Sequence, residues 1–196
     1  MTPPAPAPDA PSRPFAVCVF CGARPGSEPR FLELAARAGA LLAASGATVV
    51  YGGGRVGMMG ALADAALAEG GEVVGVIPSV LMNREVGHTG LARLEVVSDM
   101  QARKQRMIEL SDAFLTLPGG LGTLDELFEV RTLRQLGEHA KPIVAVRDRG
   151  DFDALAASLR GLVGHGLAAT RDVYALECVP TVEAALARFG LAPARR

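Results

Sequence analysis

The sequence of 196 residues contains no tryptophan, and aromatic residues make up only 5% of it. A surface that stacks nucleic-acid bases depends on aromatic side chains, so such a surface is poorly supplied here. Positive charge is not in excess either, because 20 lysines and arginines stand against 21 aspartates and glutamates, for a net charge of −1. We therefore expect neither a nucleic acid nor an anionic membrane as a partner.

Long hydrophobic runs are also missing, since no apolar stretch reaches the roughly 18 residues that a membrane-spanning helix requires. Residues 1–14 are rich in proline and alanine and contain no apolar secretory core, which predicts a disordered tail on a cytoplasmic protein. Residues 15–190 suffice for one domain with a sizeable core, and residues 191–196 are predicted to be a flexible C-terminus.

Cysteine is scarce, with three residues in the chain. Cys18 and Cys21 fit the spacing C-x-x-C, but Cys18 lies inside an apolar strand-like run rather than at a helix start, where a redox thiolate is stabilised. We interpret the two as unpaired thiols. Cys178 completes no metal pattern, and none of the histidines has ligand spacing with a second histidine or cysteine, so no metal site is predicted.

The sequence does contain a regular alternation of short apolar runs and helical patterns, typical of parallel strands covered on both faces. The predicted strands span Ala16–Phe20, Thr48–Tyr51, Val73–Ile77, Leu94–Val97, Ala113–Leu117, Ile143–Val146 and Tyr174–Val179. The predicted helices span Pro29–Ala44, Met58–Glu69, Met100–Ser111, Leu124–Leu136, Phe152–Gly164 and Val182–Phe189. This order predicts an α/β fold: a single-domain, Rossmann-like, doubly wound parallel sheet, which binds ligands beyond the carboxyl ends of its strands.

Two glycine-rich segments follow predicted strands. Gly52, Gly54 and Gly57 match the dinucleotide fingerprint G-x-G-x-x-G, but no carboxylate ends the next strand to hold a ribose, so a turn-forming or phosphate-binding role in a mononucleotide site is favoured. Residues 118–123 contain three glycines just before a helix, where backbone amides can point at an anion. This second segment is not a Walker A motif, because no lysine follows its last glycine.

Arg103 stands out without reference to any other protein. It shares one predicted helix face with Met100, Met107 and Leu110, because these positions are three or four residues apart. An arginine on an apolar face is unfavourable unless an anion pairs with it. A structural salt bridge would satisfy it, but its place just after a strand favours an anionic ligand or a catalytic carboxylate. Lys104, one step round the helix, is compatible with simple solvation.

Glu126 admits two interpretations. Thr123 and Glu126 have the spacing of a capping box, in which both side chains satisfy backbone amides at a helix start, and local sequence alone favours this role. A helix cap does not require the glycines at positions 119 and 120, and their presence favours a second role for Glu126, that of an acid beside a phosphate site. Glu85 lies in a long polar loop, and the sequence favours neither of its two interpretations, a surface charge or part of a cavity wall.

Together these motifs resemble the Lonely Guy family of cytokinin riboside 5′-monophosphate phosphoribohydrolases, long mislabelled as lysine decarboxylases. The family's P-G-G-x-G-T-x-x-E is matched at residues 118–126, its Y-G-G-G-x-x-G-x-M-G at residues 51–60, and its M-x-x-R-K-x-x-M at residues 100–107. The resemblance covers about residues 17–179. One departure is visible at residues 21–24, which read C-G-A-R where many members have C-G-S-S.

The resemblance implies hydrolysis of the N-glycosidic bond of AMP-like nucleotides to a free base and ribose 5-phosphate, with Arg103 and Glu126 as the catalytic pair. The positions that match substrate contacts in the family are Glu85, Lys104, Gly119, Gly120, Leu121, Gly122, Thr123 and Thr132. It further implies a purine nucleoside monophosphate as partner, a homodimer, and neither cofactor nor metal. A non-catalytic nucleotide or molybdopterin-type carrier of the same fold is the alternative, although a carrier would not need both charged residues.

Overall fold

The computed structural model describes residues 13–82, 87–174 and 177–192. Its strands are β1 (Ala16–Phe20), β2 (Thr48–Tyr51), β3 (Val73–Pro78), β4 (Arg93–Val97), β5 (Ala113–Thr116), β6 (Ile143–Val146) and β7 (Glu177–Val179). Its α-helices are α1 (Arg30–Ala44), α2 (Gly57–Ala68), α3 (Met100–Leu110), α4 (Leu121–Gln135), α5 (Asp153–Gly164), α6 (Thr170–Tyr174) and α7 (Val182–Arg188). None of the helices in these ranges has the length and apolar character needed to span a bilayer.

The strands form one parallel sheet in the order β4-β3-β2-β1-β5-β6-β7, so the predicted doubly wound α/β fold is confirmed. Side chains alternate between the two faces of each strand. In β1, Val17 and Val19 pack on the side of α1, α2 and α7, whereas Cys18 and Phe20 pack on the side of α3 and α4. Because both faces of the five inner strands are covered, these strands are almost entirely apolar, which is why they were recognisable in the sequence, whereas the edge strand β4 contains Arg93 and Glu95 and is partly exposed.

Two elements begin three residues away from their predicted starts, whereas the other predicted boundaries differ by at most one residue. The last strand begins at Glu177 rather than Tyr174, because residues 170–174 form the short helix α6 instead. Helix α4 begins at Leu121 rather than Leu124, with Gly120 in extended conformation as its N-cap. A short apolar run does not distinguish a strand from a buried helical turn, which explains the first difference.

The order of strands reverses at the centre of the sheet. From β1 the chain builds outward through β2 and β3 to β4, and from β5 it builds outward on the other side to β7. The loops that follow β1 and β5 are joined where the Gly22 amide donates to the Pro118 carbonyl oxygen at 3.3 Å. Such a reversal leaves a crevice at the carboxyl ends of the two strands, which is where ligands bind in this fold class.

The packing of α1 on α2 gives a test of the fold. A Cβ at Gly39 of α1 would lie 2.0 Å from the Leu62 carbonyl oxygen of α2, whereas a Cβ at Gly161 of α5 would meet nothing within 4 Å. Gly39→Ala is therefore expected to lower the free energy of unfolding by about 1–3 kcal/mol. Gly161→Ala is the control and should raise it by about 0.5–1 kcal/mol through helix propensity. Urea unfolding measures both, and equal effects would contradict the helix packing described here.

Candidate active site

A cavity of about 950 Å³ lies at the carboxyl ends of β1 and β5. Its volume is within the range of small-molecule sites, roughly 300–1,000 Å³. The loop after β1, the glycine loop of residues 118–122 and the first turns of α3 and α4 contribute to its wall. The cavity therefore occupies the crevice that the reversal of strand order creates.

Arg103 enters this cavity from the first turn of α3 and is only 4% exposed. Its Nη2 donates to the Gly52 carbonyl oxygen at 2.8 Å, and its Nε donates to the Val76 carbonyl oxygen at 3.2 Å. The helix is started by Asp99, whose carboxylate accepts the Ala102 amide at 2.9 Å. The guanidinium is thus fixed by backbone at the ends of two strands.

The first glycine-rich segment has structural reasons for its composition. A Cβ at Gly52 would lie 1.9 Å from Arg103 Nη2, so this glycine lets the arginine reach the backbone. Gly57 has a φ of +62°, and a Cβ there would also collide with the backbone of Ala23. The segment is explained by the turn it forms and by its contact with Arg103, without a dinucleotide.

The capping-box interpretation of Thr123 and Glu126 is wrong. Gly120 is the N-cap of α4 and no side chain caps this helix start, so both residues lie inside the helix. Both are buried, with Glu126 9% exposed in the wall of the cavity. A buried carboxylate is costly for stability, and the local structure of the helix does not require one here.

Arg103 and Glu126 both act electrostatically on one thiol. Burial raises the pKa of Cys21 well above its usual range, the negative charge of Glu126 raises it further, and the positive charge of Arg103 lowers it. Cys21 itself lines the cavity. The two charged side chains proposed to act together therefore lie within electrostatic range of the same point in the cavity wall.

The glycine loop contains two glycines that packing does not demand. A Cβ at Gly119 would lie 2.1 Å from Thr123 Oγ1, so that position needs glycine. At Gly120 and Gly122 a Cβ would meet nothing within 4 Å, and neither residue has a left-handed φ. The first amides of a helix lack intrahelical acceptors. Because Gly120 and Gly122 have no Cβ atoms, a ligand has room to approach these backbone amides closely.

Three residues that were predicted to contact the substrate either do not line this cavity or lie outside the described residues. Lys104 forms an ion pair with Asp125 at 3.1 Å and another with Glu129, and it does not line the cavity. The Thr132 hydroxyl donates to the Phe128 carbonyl oxygen at 2.8 Å, beside a smaller depression on α4. Glu85 lies outside the described residues. The structure thus brings together Arg103, Glu126 and residues 119–123 of the predicted set.

Several cavity residues were not found from the sequence, among them Phe31, Asp151, Phe152 and Leu155. Asp151 and Phe152 follow β6 at the same sheet edge as the glycine loop, so their position after a strand was the available signal. In the described ranges, no group of three histidine, cysteine, aspartate or glutamate side chains is placed to hold a metal ion.

Comparison with known proteins extends these observations. A family model described as "possible lysine decarboxylase" matches residues 59–189. A cytokinin riboside 5′-monophosphate phosphoribohydrolase of Mycobacterium tuberculosis is 48% identical over 172 residues, which cover 88% of this chain and 91% of that one. A protein of the same name from Arabidopsis thaliana is 40% identical over 150 residues, covering 76% and 70% of the two chains.

Among solved structures, the molybdenum cofactor binding protein of Rippkaea orientalis superposes with a TM-score of 0.69 over 91% of this chain and 96% of that one. At 21% identity this likeness shows the fold alone. The fold and the site define a class of doubly wound α/β proteins in which a cavity lies where the strand order reverses, between β1 and β5. The chain belongs to the Lonely Guy family of phosphoribohydrolases, to which the sequence relatives point.

The thiols beside the site provide a test of its electrostatics. Burial raises the pKa values of Cys18 and Cys21, so both remain protonated thiols, and only the thiolate reacts rapidly with alkylating reagents. In the native protein at about pH 8, neither is expected to react with iodoacetamide within the time that the unfolded protein needs for complete labelling. Mass spectrometry of labelled peptides measures this, and rapid native labelling of Cys21 would contradict it.

Proposed function

We propose that the protein is a phosphoribohydrolase that cleaves the N-glycosidic bond of cytokinin riboside 5′-monophosphates and AMP to release the base and ribose 5-phosphate. The observation that carries the proposal is a buried arginine and a buried glutamate in the wall of one cavity with a glycine loop. The names of relatives at 48% and 40% identity support the same reaction.

The 5′-phosphate fits the start of α4. The amides of residues 120–123 provide donors without intrahelical acceptors, and the helix macrodipole places partial positive charge there. Gly120 and Gly122 leave the backbone open to close approach. Binding the phosphate at this point would hold the sugar in a fixed position for attack.

The glycosidic bond would then break near Glu126. Loss of the base builds positive charge on the ribose, which an ionised carboxylate stabilises. A water molecule attacks C1′ as the C1′–N9 bond breaks; Glu126 accepts a proton from the water, and the departing base takes up a proton. This role requires an ionised Glu126, and the positive charge of Arg103 lies in the wall of the same cavity.

The proposal includes a homodimer. Large apolar side chains are exposed at both ends of α4, the helix that carries Glu126: Leu121, its first residue, is 87% exposed, and Leu136, its C-cap, is 70% exposed. Exposed apolar side chains of this size favour a protein contact, and a second copy of the chain would cover them.

Replacing Glu126 tests the chemistry directly. Glu126→Gln should retain the fold and release base at least about 100-fold more slowly, because the amide can neither accept the proton nor stabilise the positive charge. The assay incubates the protein with AMP or N6-isopentenyl-AMP and separates the free base by chromatography. Glu33→Gln, on the exposed side of α1, is the matched control and should leave the rate unchanged.

Absence of base release from any purine nucleoside monophosphate by the unmodified protein would contradict the proposal and favour a carrier of the same fold. Unchanged turnover in Glu126→Gln would remove this residue from the mechanism.

Gly122→Ala separates stability from ligand binding. An alanine there meets no neighbour and improves helix propensity, so the free energy of unfolding should rise by about 0.5–1 kcal/mol. If the phosphate binds at this backbone, the new methyl group should raise the KM for AMP about tenfold or more. Gly161→Ala should give the same stabilisation with an unchanged KM. An unchanged KM in Gly122→Ala would place the phosphate elsewhere.

A further inference from the structure

A buried histidine lies outside the cavity, between β3 and β4. His88 is 2% exposed, whereas His139 is half-buried and His165 is exposed, and it does not line the cavity. Its Nδ1 accepts the Gly90 amide at 3.1 Å, so the ring hydrogen is on Nε2, which donates to Asp64 Oδ1 at 2.9 Å. Both ring nitrogens are therefore hydrogen-bonded, and the orientation of the ring is fixed.

The backbone beside this ring pairs with the first glycine-rich segment. The His88 amide donates to the Gly53 carbonyl oxygen at 2.9 Å. One residue away, Gly87 and Gly54 form an antiparallel bridge. Gly53 has a φ of +76°, and a Cβ there would lie 3.0 Å from a side-chain atom of β4, so the segment is tightly enclosed at this point. His88 thus connects the glycine-rich segment to α2, which carries Asp64.

The contact made by His88 lies one residue from a support of Arg103. Arg103 Nη2 donates to the carbonyl oxygen of Gly52, the neighbour of Gly53. Arg103 Nε donates to Val76, which lies inside β3 and is held by β2 and β4 on the two sides of that strand. Gly52 instead lies beyond the last residue of β2, where the ladder with β3 has ended. The position of its carbonyl therefore depends on how the segment beyond the strand is held.

Stability alone does not explain this histidine. Burial removes the ring nitrogens from water, and the hydrogen bonds that replace water give little net gain. The Asp64 side chain is 60% exposed, so its bond to the ring competes with solvent. An apolar side chain would fill the same space without these penalties. What the imidazole adds is a fixed position for the backbone next to Gly52.

On the basis of the phosphoribohydrolase function proposed above, we propose that His88, oriented by Asp64, is a positioning residue for Arg103. It acts through the backbone of Gly52 and Gly53 and does not touch the substrate. A charge that stabilises a reacting group must be fixed in advance, and a displacement of about 1 Å costs on the order of 100-fold in rate. The 5′-phosphate is assigned to the start of α4, which follows β5 rather than β2, so loss of His88 should affect kcat more than KM.

The first measurement is steady-state hydrolysis of AMP. His88→Ala should lower kcat about tenfold or more and change KM by less than about threefold. His88→Asn, whose side-chain oxygen can replace Nδ1 as acceptor of the Gly90 amide, should recover part of the loss. Asp64→Ala removes an exposed side chain and serves where His88→Ala does not fold; it should lower kcat about threefold. Asp64→Asn keeps an acceptor oxygen for Nε2 and should leave kcat unchanged.

His139 provides a matched control. Its Nδ1 accepts the Lys141 amide at 3.2 Å and its Nε2 donates to the Val130 carbonyl oxygen at 2.9 Å, so its ring is fixed in the same way as that of His88. It lies between α4 and β6 and does not line the cavity. His139→Ala should lower the free energy of unfolding and leave kcat and KM unchanged within about twofold. An equal fall in kcat in both alanine variants would indicate a general loss of structure and contradict the proposal.

A second measurement follows the position of Arg103 without turnover. The Arg103 Nε–H donates to the backbone inside the sheet, so its hydrogen exchange with solvent, followed by NMR, reports how firmly the guanidinium is held. Arg103→Lys identifies the signal by its absence. Exchange should be about tenfold faster in His88→Ala, or in Asp64→Ala to a smaller extent, and unchanged in His139→Ala.

The outcomes separate this proposal from the proposed function. If the unmodified protein releases base and neither His88→Ala nor Asp64→Ala changes kcat or the exchange of Arg103, the positioning role is wrong and the function stands. If base is released from no purine nucleoside monophosphate but exchange is faster in His88→Ala alone, His88 positions Arg103 and the function is wrong. A higher KM with unchanged kcat would overturn the positioning role, because it would place His88 in ligand binding.

Discussion

The reversal of strand order between β1 and β5 is the constraint on which the site depends. Helix α1 follows β1 onto one face of the sheet and α4 follows β5 onto the other, so the loops diverge and neither fills the space between them. The hydrogen bond from the Gly22 amide to the Pro118 carbonyl oxygen ties these loops together at the base of the crevice. The cavity, the glycine loop and both proposed catalytic residues follow from this arrangement.

Burial of two ionisable side chains in one wall is unfavourable for stability. Apolar residues of similar volume often pack as well as a buried pair of charges, without the desolvation penalty. Arg103 is held by two backbone carbonyls, so the sheet itself fixes the position of its positive charge. A charge fixed in advance stabilises a reacting group without reorganisation, which is the physical reason to attribute chemistry to this wall.

The sequence allowed the strand pattern to be predicted because parallel strands buried on both faces are continuously apolar. Arg103 was recognisable since a charge on an apolar helix face needs a partner. Local sequence favoured a capping box as one of two interpretations of Glu126, and that interpretation is wrong because Gly120, in extended conformation and without a side chain, is the N-cap of α4. The contacts of Arg103 with Gly52 and of His88 with Gly53 join residues far apart in the chain, and no local pattern indicates which strands end side by side.

A crystal structure of the Glu126→Gln variant with bound AMP would show whether the nucleotide binds between the glycine loop and residue 126. The 5′-phosphate is expected on the backbone amides of residues 120–123, with the ribose C1′ facing the side chain at position 126. A nucleotide bound with its base on the glycine loop, or outside the cavity between β1 and β5, would contradict it.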